Sequence, residues 1–149
     1  MKRDRSQAVV VREDKILLVK HLMDGKEFYC LPGGGIDEGE TPEMSAIREL
    51  KEEAGVDGTV ERLLSVQYKP DNAGNVYSYL CNIAEDAIAV PGTDPEFSPQ
   101  EQTIIGVAWL HLEEIGMVDQ AYLWAAGLNR IPSFHSMLKK MDNTVPVIE

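Results

Sequence analysis

The sequence predicts an α/β layered sandwich, because strand-like and helix-like stretches alternate within one 149-residue chain. Three observations carry this reading. Short runs rich in Val, Ile and Leu recur between polar turns, and one helix near the middle has clear start and stop signals. No internal repeat, low-complexity tract or linker divides the chain, so residues 1–149 are read as a single domain.

The elements follow in order. Gln7–Val11 and Lys15–Lys20, separated by Arg12-Glu13-Asp14, predict a β-hairpin or two adjacent strands. Glu27–Leu31 predicts a third strand, cut off by Pro32 and three glycines. Thr41 is a natural helix N-cap, Pro42 suits the first helical position, and Gly55 is the matching stop. Val60–Lys69 and Val76–Ile83 alternate as strands do, joined by a turn-rich stretch over 70–75. Residues 84–102 are acidic, carry Pro91, Pro95 and Pro99, and predict a loop. Thr103–Leu110 predicts a further strand. Leu112–Met117, Asp119–Leu128 and Pro132–Met141 predict helices, and residues 142–149 a frayed tail.

Composition narrows the function. Hydrophobic residues make up 44% and charged residues 26%, which argues against a disordered or membrane-embedded chain. Lys and Arg number 14 against 25 Asp and Glu, a net charge of −11 with a pI near 4.7. Such a surface repels nucleic acid polymers. It also disfavours a small polyanion unless a cation bridges the two. The sequence shows no signal-peptide core or membrane-length apolar run. Cys30 and Cys81 sit in apolar, strand-like segments and read as reduced core thiols, so the expected location is cytoplasmic.

On the helix over 42–54, Ile47, Leu50 and Ala54 share one face at about 100° per residue. Glu49, Glu52 and Glu53 fall together on nearly the opposite side, at the i, i+3 and i+4 spacings where helical side chains meet. Like charges so placed cost roughly 0.2–0.5 kcal/mol per pair, and acids near the last turn oppose the macrodipole. A solvated polar face is the ordinary explanation. The alternative is a divalent cation, since hard ions such as Mg²⁺ take carboxylate oxygens. Pro32-Gly33-Gly34-Gly35 reads as a sharp backbone reversal, where glycine permits φ > 0 and lets a ligand approach the main chain.

Together these residues resemble the Nudix hydrolase family. Its box, G-x5-E-x7-R-E-U-x-E-E-x-G-U, is matched by Gly34, Glu40 and Arg48-Glu49-Leu50-Lys51-Glu52-Glu53-Ala54-Gly55-Val56. Every fixed position is filled across 23 of 149 residues. The resemblance implies an α/β/α sandwich around a mixed β-sheet, with the box as its loop–helix–loop. It implies hydrolysis of a pyrophosphate link in a nucleoside diphosphate derivative, by attack of water on phosphorus, with Mg²⁺ (or Mn²⁺) as cofactor. Glu52 and Glu53 would be metal ligands, and Glu49 a ligand or an activator of the water. The carbonyl of Gly33 would add a further ligand. Arg48 would orient the glutamates, and Glu40 would pair with Arg48 and anchor the loop. Gly34 and Gly35 would lie against substrate.

Other assignments stay open. Lys20 ends the second strand, where related enzymes place a basic phosphate contact; a solvated strand end is the equal alternative. His21 reads as a surface histidine, and His111 and His135 carry no pattern. Many relatives place a fourth carboxylate where this chain has Thr103, counted back from Trp109. Glu101 is therefore the candidate base or outer ligand, with Glu96 further out. Tyr68 and Pro70 lie near positions that mark substrate subfamilies without settling the substrate. Trp109, Tyr122, Trp124 and Phe134 suit base stacking or core packing. A small-molecule nucleotide is the expected partner, and the helical C-terminal third allows a homodimer. A catalytically silent nucleotide sensor on the same fold is the competing reading.

Overall fold

The apolar runs of the first twenty residues divide between two sheets. The computed structural model describes residues 3–70, 74–93, 98 and 102–135. Strands β1 (Arg5–Val9), β2 (Val11–Arg12), β3 (Lys15–Met23), β4 (Lys26–Cys30) and β5 (Gly33–Gly35) precede helix α1 (Pro42–Ala54). Strands β6 (Gly58–Gln67), β7 (Val76–Ile83) and β8 (Ile104–His111) follow, then helix α2 (Met117–Ala125). Short 3-10 turns at Leu112–Glu114 and Leu128–Arg130 flank α2.

The first sheet has the order β5-β1-β7-β6 and is mixed: β1 runs parallel to β7 and antiparallel to β5. The second sheet is antiparallel, with β8 along one side of β3 and β2 and β4 along the other. The expected hairpin is thus only the short pair β2–β3, turned by Glu13 and Asp14 at φ 53° and 63°. The run Gln7–Val11 does not pair as one strand. Its first part joins the mixed sheet, and only Val11 enters the antiparallel one. A second two-residue turn, Asp24-Gly25 at φ 54° and 77°, joins β3 to β4 and carries β3 beyond Lys20 to Met23. Positive φ at both turn residues matches the twist of a tight hairpin.

Glycines 33–35 also depart from expectation. They form a strand paired with Arg5–Gln7, none with positive φ, rather than a reversal. Space is what demands glycine here. A Cβ at Gly33 would meet the Ser6 carbonyl oxygen at 2.6 Å, and one at Gly34 would meet Glu49 Oε1 at 2.5 Å.

Alternation along β1 separates two cores. Ala8 and Val10 face α1, packing with Leu17, Ala46, Leu50 and Ala54. Val9 faces the other way, with Ile16, Leu18, Leu64, Leu123 and Phe134. The sheets therefore lie between two helical layers, an α/β/α arrangement. The ends of α1 follow the sequence signals. Thr41 Oγ1 accepts from the Met44 amide at 3.1 Å, and Gly55 closes the helix at φ 71°. Beyond it, the amides of Val90 and Gly92 donate to the carbonyls of Ala54 and Glu53, both at 2.9 Å. The expected helix from Pro132 has only residues 132–135 inside the described region, where they are helical. The tail over 142–149 lies outside it, as do Glu96 and Glu101. Among the described residues, no helix is long and apolar enough to cross a membrane.

Leu50 is fully buried between α1 and the mixed sheet. Leu50→Ala should lower unfolding free energy in urea by about 2–5 kcal/mol; a loss below about 1 kcal/mol would contradict this packing.

Candidate active site

The acidic face of α1 is not the solvated face its angular position suggested. Glu49 and Glu53 are 4% and 3% exposed, while Glu52 lies at the rim. They flank the apolar stripe because β5, having no side chains, leaves a trough beside β1 that carboxylates can fill. Buried acids are costly unless paired, and here the pairing is dense.

Arg48 supplies most of it. Its Nε and Nη2 donate to the two oxygens of Glu40, at 2.8 and 3.1 Å, a forked geometry suited to carboxylate. Its Nη1 donates to Glu49 Oε1 and to Glu52 Oε2, each at 3.0 Å. Its Nη2 also reaches the Gly35 carbonyl at 3.0 Å, and Asp37 lies 3.4 Å from Nε. These acceptors, Glu40 foremost, raise the guanidinium's pKa despite its partial burial. Reciprocally, Arg48 holds the Glu40 carboxyl below its ordinary value. Glu53 is fixed separately: its Oε1 accepts from the Gly33 amide at 2.8 Å. Glu40, Arg48, Glu49, Glu52, Glu53, Gly33, Gly34 and Gly35 thus converge on one end of α1 and strand β5.

In this arrangement Arg48 stands between Glu49 and Glu52, and Glu53 turns toward the Gly33 amide. Accordingly, among the described residues no three acidic, histidine or cysteine side chains close around a common point as a metal cage does. The expected ligands are neighbours held in register rather than an assembled shell.

Other expected residues lie elsewhere. Lys20 pairs with Glu27 at 3.0 Å and sits 5.8 Å from the Tyr29 ring centre, so it lies within β3, in an ion pair across β3 and β4, rather than at a strand end. Glu27 is also the main reason its pKa is raised. His21 is more than a surface residue. It stacks on Phe28 at 5.3 Å, and its Nδ1 lies 2.7 Å from Thr103 Oγ1, so Thr103 serves to hold the histidine. Phe134 is fully buried, and Trp124 packs against the same core. Trp109 packs on the α1 side under Arg12, whose guanidinium carbon lies 4.6 Å from the indole centre.

A feature not anticipated is a cavity of about 320 Å³ on the α2 side of β1. Arg5 and Gln7 from β1, Tyr29 and Cys30 from β4, and Asp119 and Tyr122 from α2 are among its lining residues. The polar residues Arg5 and Gln7 alternating with buried neighbours in β1 were the available signal. Cys30 is therefore not a core thiol, though both cysteines are free as expected. Burial, then Glu53 and Asp119, push its pKa up to about 11. Burial alone pushes Cys81 up to about 12.

A model of the NUDIX domain matches residues 2–130. The chain belongs to the NUDIX family. The chain is 36% identical over 74 residues to human diphosphoinositol polyphosphate phosphohydrolase 2, covering 50% of this chain and 41% of that protein. It is 41% identical over 64 residues to the ADP-ribose pyrophosphatase of Methanocaldococcus jannaschii, covering 42% and 38%. The aligned parts thus span about two fifths of these curated relatives. Among solved structures, a NUDIX hydrolase from Nitrosomonas europaea superposes with TM-score 0.65 at 22% identity, covering 79% of this chain and 62% of that one. An ADP-ribose pyrophosphatase from Streptococcus suis gives 0.60 at 24%, covering 81% and 88%. These superpositions establish the NUDIX fold.

The Glu40–Arg48 pair makes this NUDIX domain sensitive to acid. Because Arg48 lowers the folded pKa of Glu40 below 4.5, its contribution is complete above that value and is lost as pH falls through the folded one. Glu40→Gln should lower stability at neutral pH and flatten its decline below about pH 4.5, measured by urea unfolding across pH. An unchanged acid limb would contradict the role given to this pair.

Proposed function

We propose that this chain is a Mg²⁺-dependent pyrophosphohydrolase that cleaves the pyrophosphate link of a nucleoside diphosphate derivative. The observation that carries the reading is the cluster of Glu49, Glu52 and Glu53 beside β5, two of them buried, in a chain whose charge alone would repel its substrate. Family membership and the names of the two curated relatives, both phosphate-anhydride hydrolases, point the same way.

The donor set fits a hard divalent cation: carboxylate oxygens from one helix and the backbone of Gly33, with no soft ligand among them. Glu52, Glu53 and Glu49 would hold the ion together with the Gly33 carbonyl, with Mn²⁺ as a substitute. Bound there, it would shield phosphate charge and supply Lewis acidity. Arg48 keeps Glu49 and Glu52 pointed to one side of the helix. Glu40 keeps Arg48 from swinging away. Gly34 and Gly35 admit the phosphates close to the main chain. In the reaction, a water oxygen bonds to phosphorus as the bridging P–O bond breaks, and the water's proton passes to a carboxylate. Glu101, outside the described residues, and Glu49 are the candidates for that proton.

The test is release of phosphate or mononucleotide from a panel of nucleoside triphosphates, ADP-ribose, nucleotide sugars and diadenosine polyphosphates, with Mg²⁺ and with EDTA. Cleavage of one class with Mg²⁺ and none with EDTA is expected. A folded, metal-loaded protein that cleaves nothing overturns the reading and favours a nucleotide sensor on the same fold. Glu53→Gln should reduce turnover on the order of 10²–10⁴-fold while keeping the fold, since the amide oxygen can still accept from Gly33. Near-full activity in that variant would remove Glu53 from the machinery.

A further inference from the structure

Helix α1 already has a stop of its own, in which the Gly55 amide donates to the Lys51 carbonyl at 3.0 Å. The last carbonyls of a helix have no partner within it, and those of Glu53 and Ala54 are met by a segment distant in the chain. After β7 the chain passes along this end of α1. There the amides of Val90 and Gly92 donate to the carbonyls of Ala54 and Glu53, both at 2.9 Å. Water can satisfy the carbonyls of an open helix end, so capping alone does not account for a fitted segment.

The fit is close. A Cβ on Gly92 would overlap the Glu52 carbonyl, so glycine is what lets the main chain lie this near. Glu53 is thereby held at both ends: its carbonyl accepts from the Gly92 amide, and its side chain accepts from the Gly33 amide. Strand β5 meets the acid-bearing turn through side chains, and the segment over 87–92 meets it through the main chain.

The segment is not fixed by its larger apolar residues, since Ile88 is 79% exposed and Val90 49%. Ala87 and Ala89 pack inward against the core under α1, but they are small. Arg12 supplies the anchor. Its Nη2 donates to the Ala84 carbonyl at 2.9 Å and its Nη1 to the Ala87 carbonyl at 3.0 Å. The guanidinium is itself seated on the Trp109 indole of β8. A planar fork can serve two carbonyls and a ring face together, which a lysine ammonium cannot.

We propose that Arg12 and Gly92 are positioning residues for the acidic cluster. Arg12 anchors the segment over 84–92, and Gly92 fixes the turn of α1 that carries Glu52 and Glu53. The inference rests on the pyrophosphohydrolase reading for what the acids are there to hold. Helix ends fray, and neighbouring carboxylates would repel one another apart as this one did. Arg48 restrains Glu49 and Glu52 through their side chains; the segment restrains the backbone beneath Glu53.

The test compares Gly92→Ala and Arg12→Met with the unchanged protein. Arg12→Met keeps a long side chain for Trp109 and removes both donors. Leu128→Ala, in the core on the α2 side, is the control that loses stability without touching the segment. In metal-free protein, hydrogen exchange at the Gly33 amide should become several-fold faster in both variants than in the control. Mn²⁺ affinity, read from the ion's magnetic resonance signal, should fall roughly 10–100-fold in both and hold in Leu128→Ala. Exchange and affinity matching the control's would overturn the proposal, because the segment would then contribute stability alone. A response to Gly92→Ala without one to Arg12→Met would overturn the role given to Arg12. If the unchanged protein takes up no Mn²⁺ and the Gly33 amide still responds, the metal reading falls and the positioning role stands. If Mn²⁺ binds equally in every variant and the amide does not respond, the positioning role alone falls.

Discussion

The structure around α1 depends on one guanidinium. Arg48 contacts Glu40, Asp37 and the Gly35 carbonyl in the loop before the helix, and Glu49 and Glu52 on the helix itself. A lysine could not do this, because a single ammonium lacks the planar fork that meets Glu40 with two parallel bonds. Without that charge, Glu49 and Glu52 would face each other and Glu53 on one short arc of helix. With it, acids that would disfavour the helix become fixed members of a network, and β5 stays docked beside them. The same contacts keep the cluster compact, although the carboxylates do not close into a cage among the described residues.

A second constraint is the thinness of β5. Three consecutive glycines let the strand lie against Ser6 and Gln7 on one side and against Glu49 on the other. Side chains there would push α1 off the mixed sheet or fill the trough that its acids occupy. Strand β1 then presents different residues to its two faces. Ser6 and Ala8 face α1 and help seat it; Ser6 Oγ donates to the Pro42 carbonyl at 2.6 Å. Arg5 and Gln7 face the α2 side and line the cavity. The strand's period of two thus places the acidic cluster and the cavity on opposite faces.

Much of this was legible in the sequence, for reasons that differ by residue. The limits of α1 were clear because Thr41, Pro42 and Gly55 act locally, each through its own backbone or hydroxyl. The pairing of Glu40 with Arg48 is implied by the family resemblance, and the two side chains meet at 2.8 Å. The burial of Glu49 and Glu53 was not legible, because an angular count on a helix cannot see that the opposing strand has no side chains. The glycines were misread as a reversal because close approach and positive φ demand the same residue. Strand β3 was cut short at Lys20, although Asp24-Gly25 is a strong hairpin signal, because His21 and Leu22 break the apolar run. The cavity left only the alternation of Arg5 and Gln7 as a signal, because it is assembled from β1, β3, β4, β6, β7 and α2, with no sequence pattern joining them. Glu101 lies outside the described residues.

The central claim is that the acids gathered by Arg48 are there for a divalent cation, and direct uptake of the metal tests it without reference to any substrate. Metal-free protein would be titrated with Mn²⁺, following the ion's magnetic resonance signal and the midpoint of thermal unfolding together. Saturable uptake, a rising midpoint, and loss of both in Glu52→Gln are the predicted result. A protein whose uptake and unfolding are the same with and without the Glu52 carboxylate would contradict the account, and the acidic cluster would then be a purely structural network around Arg48.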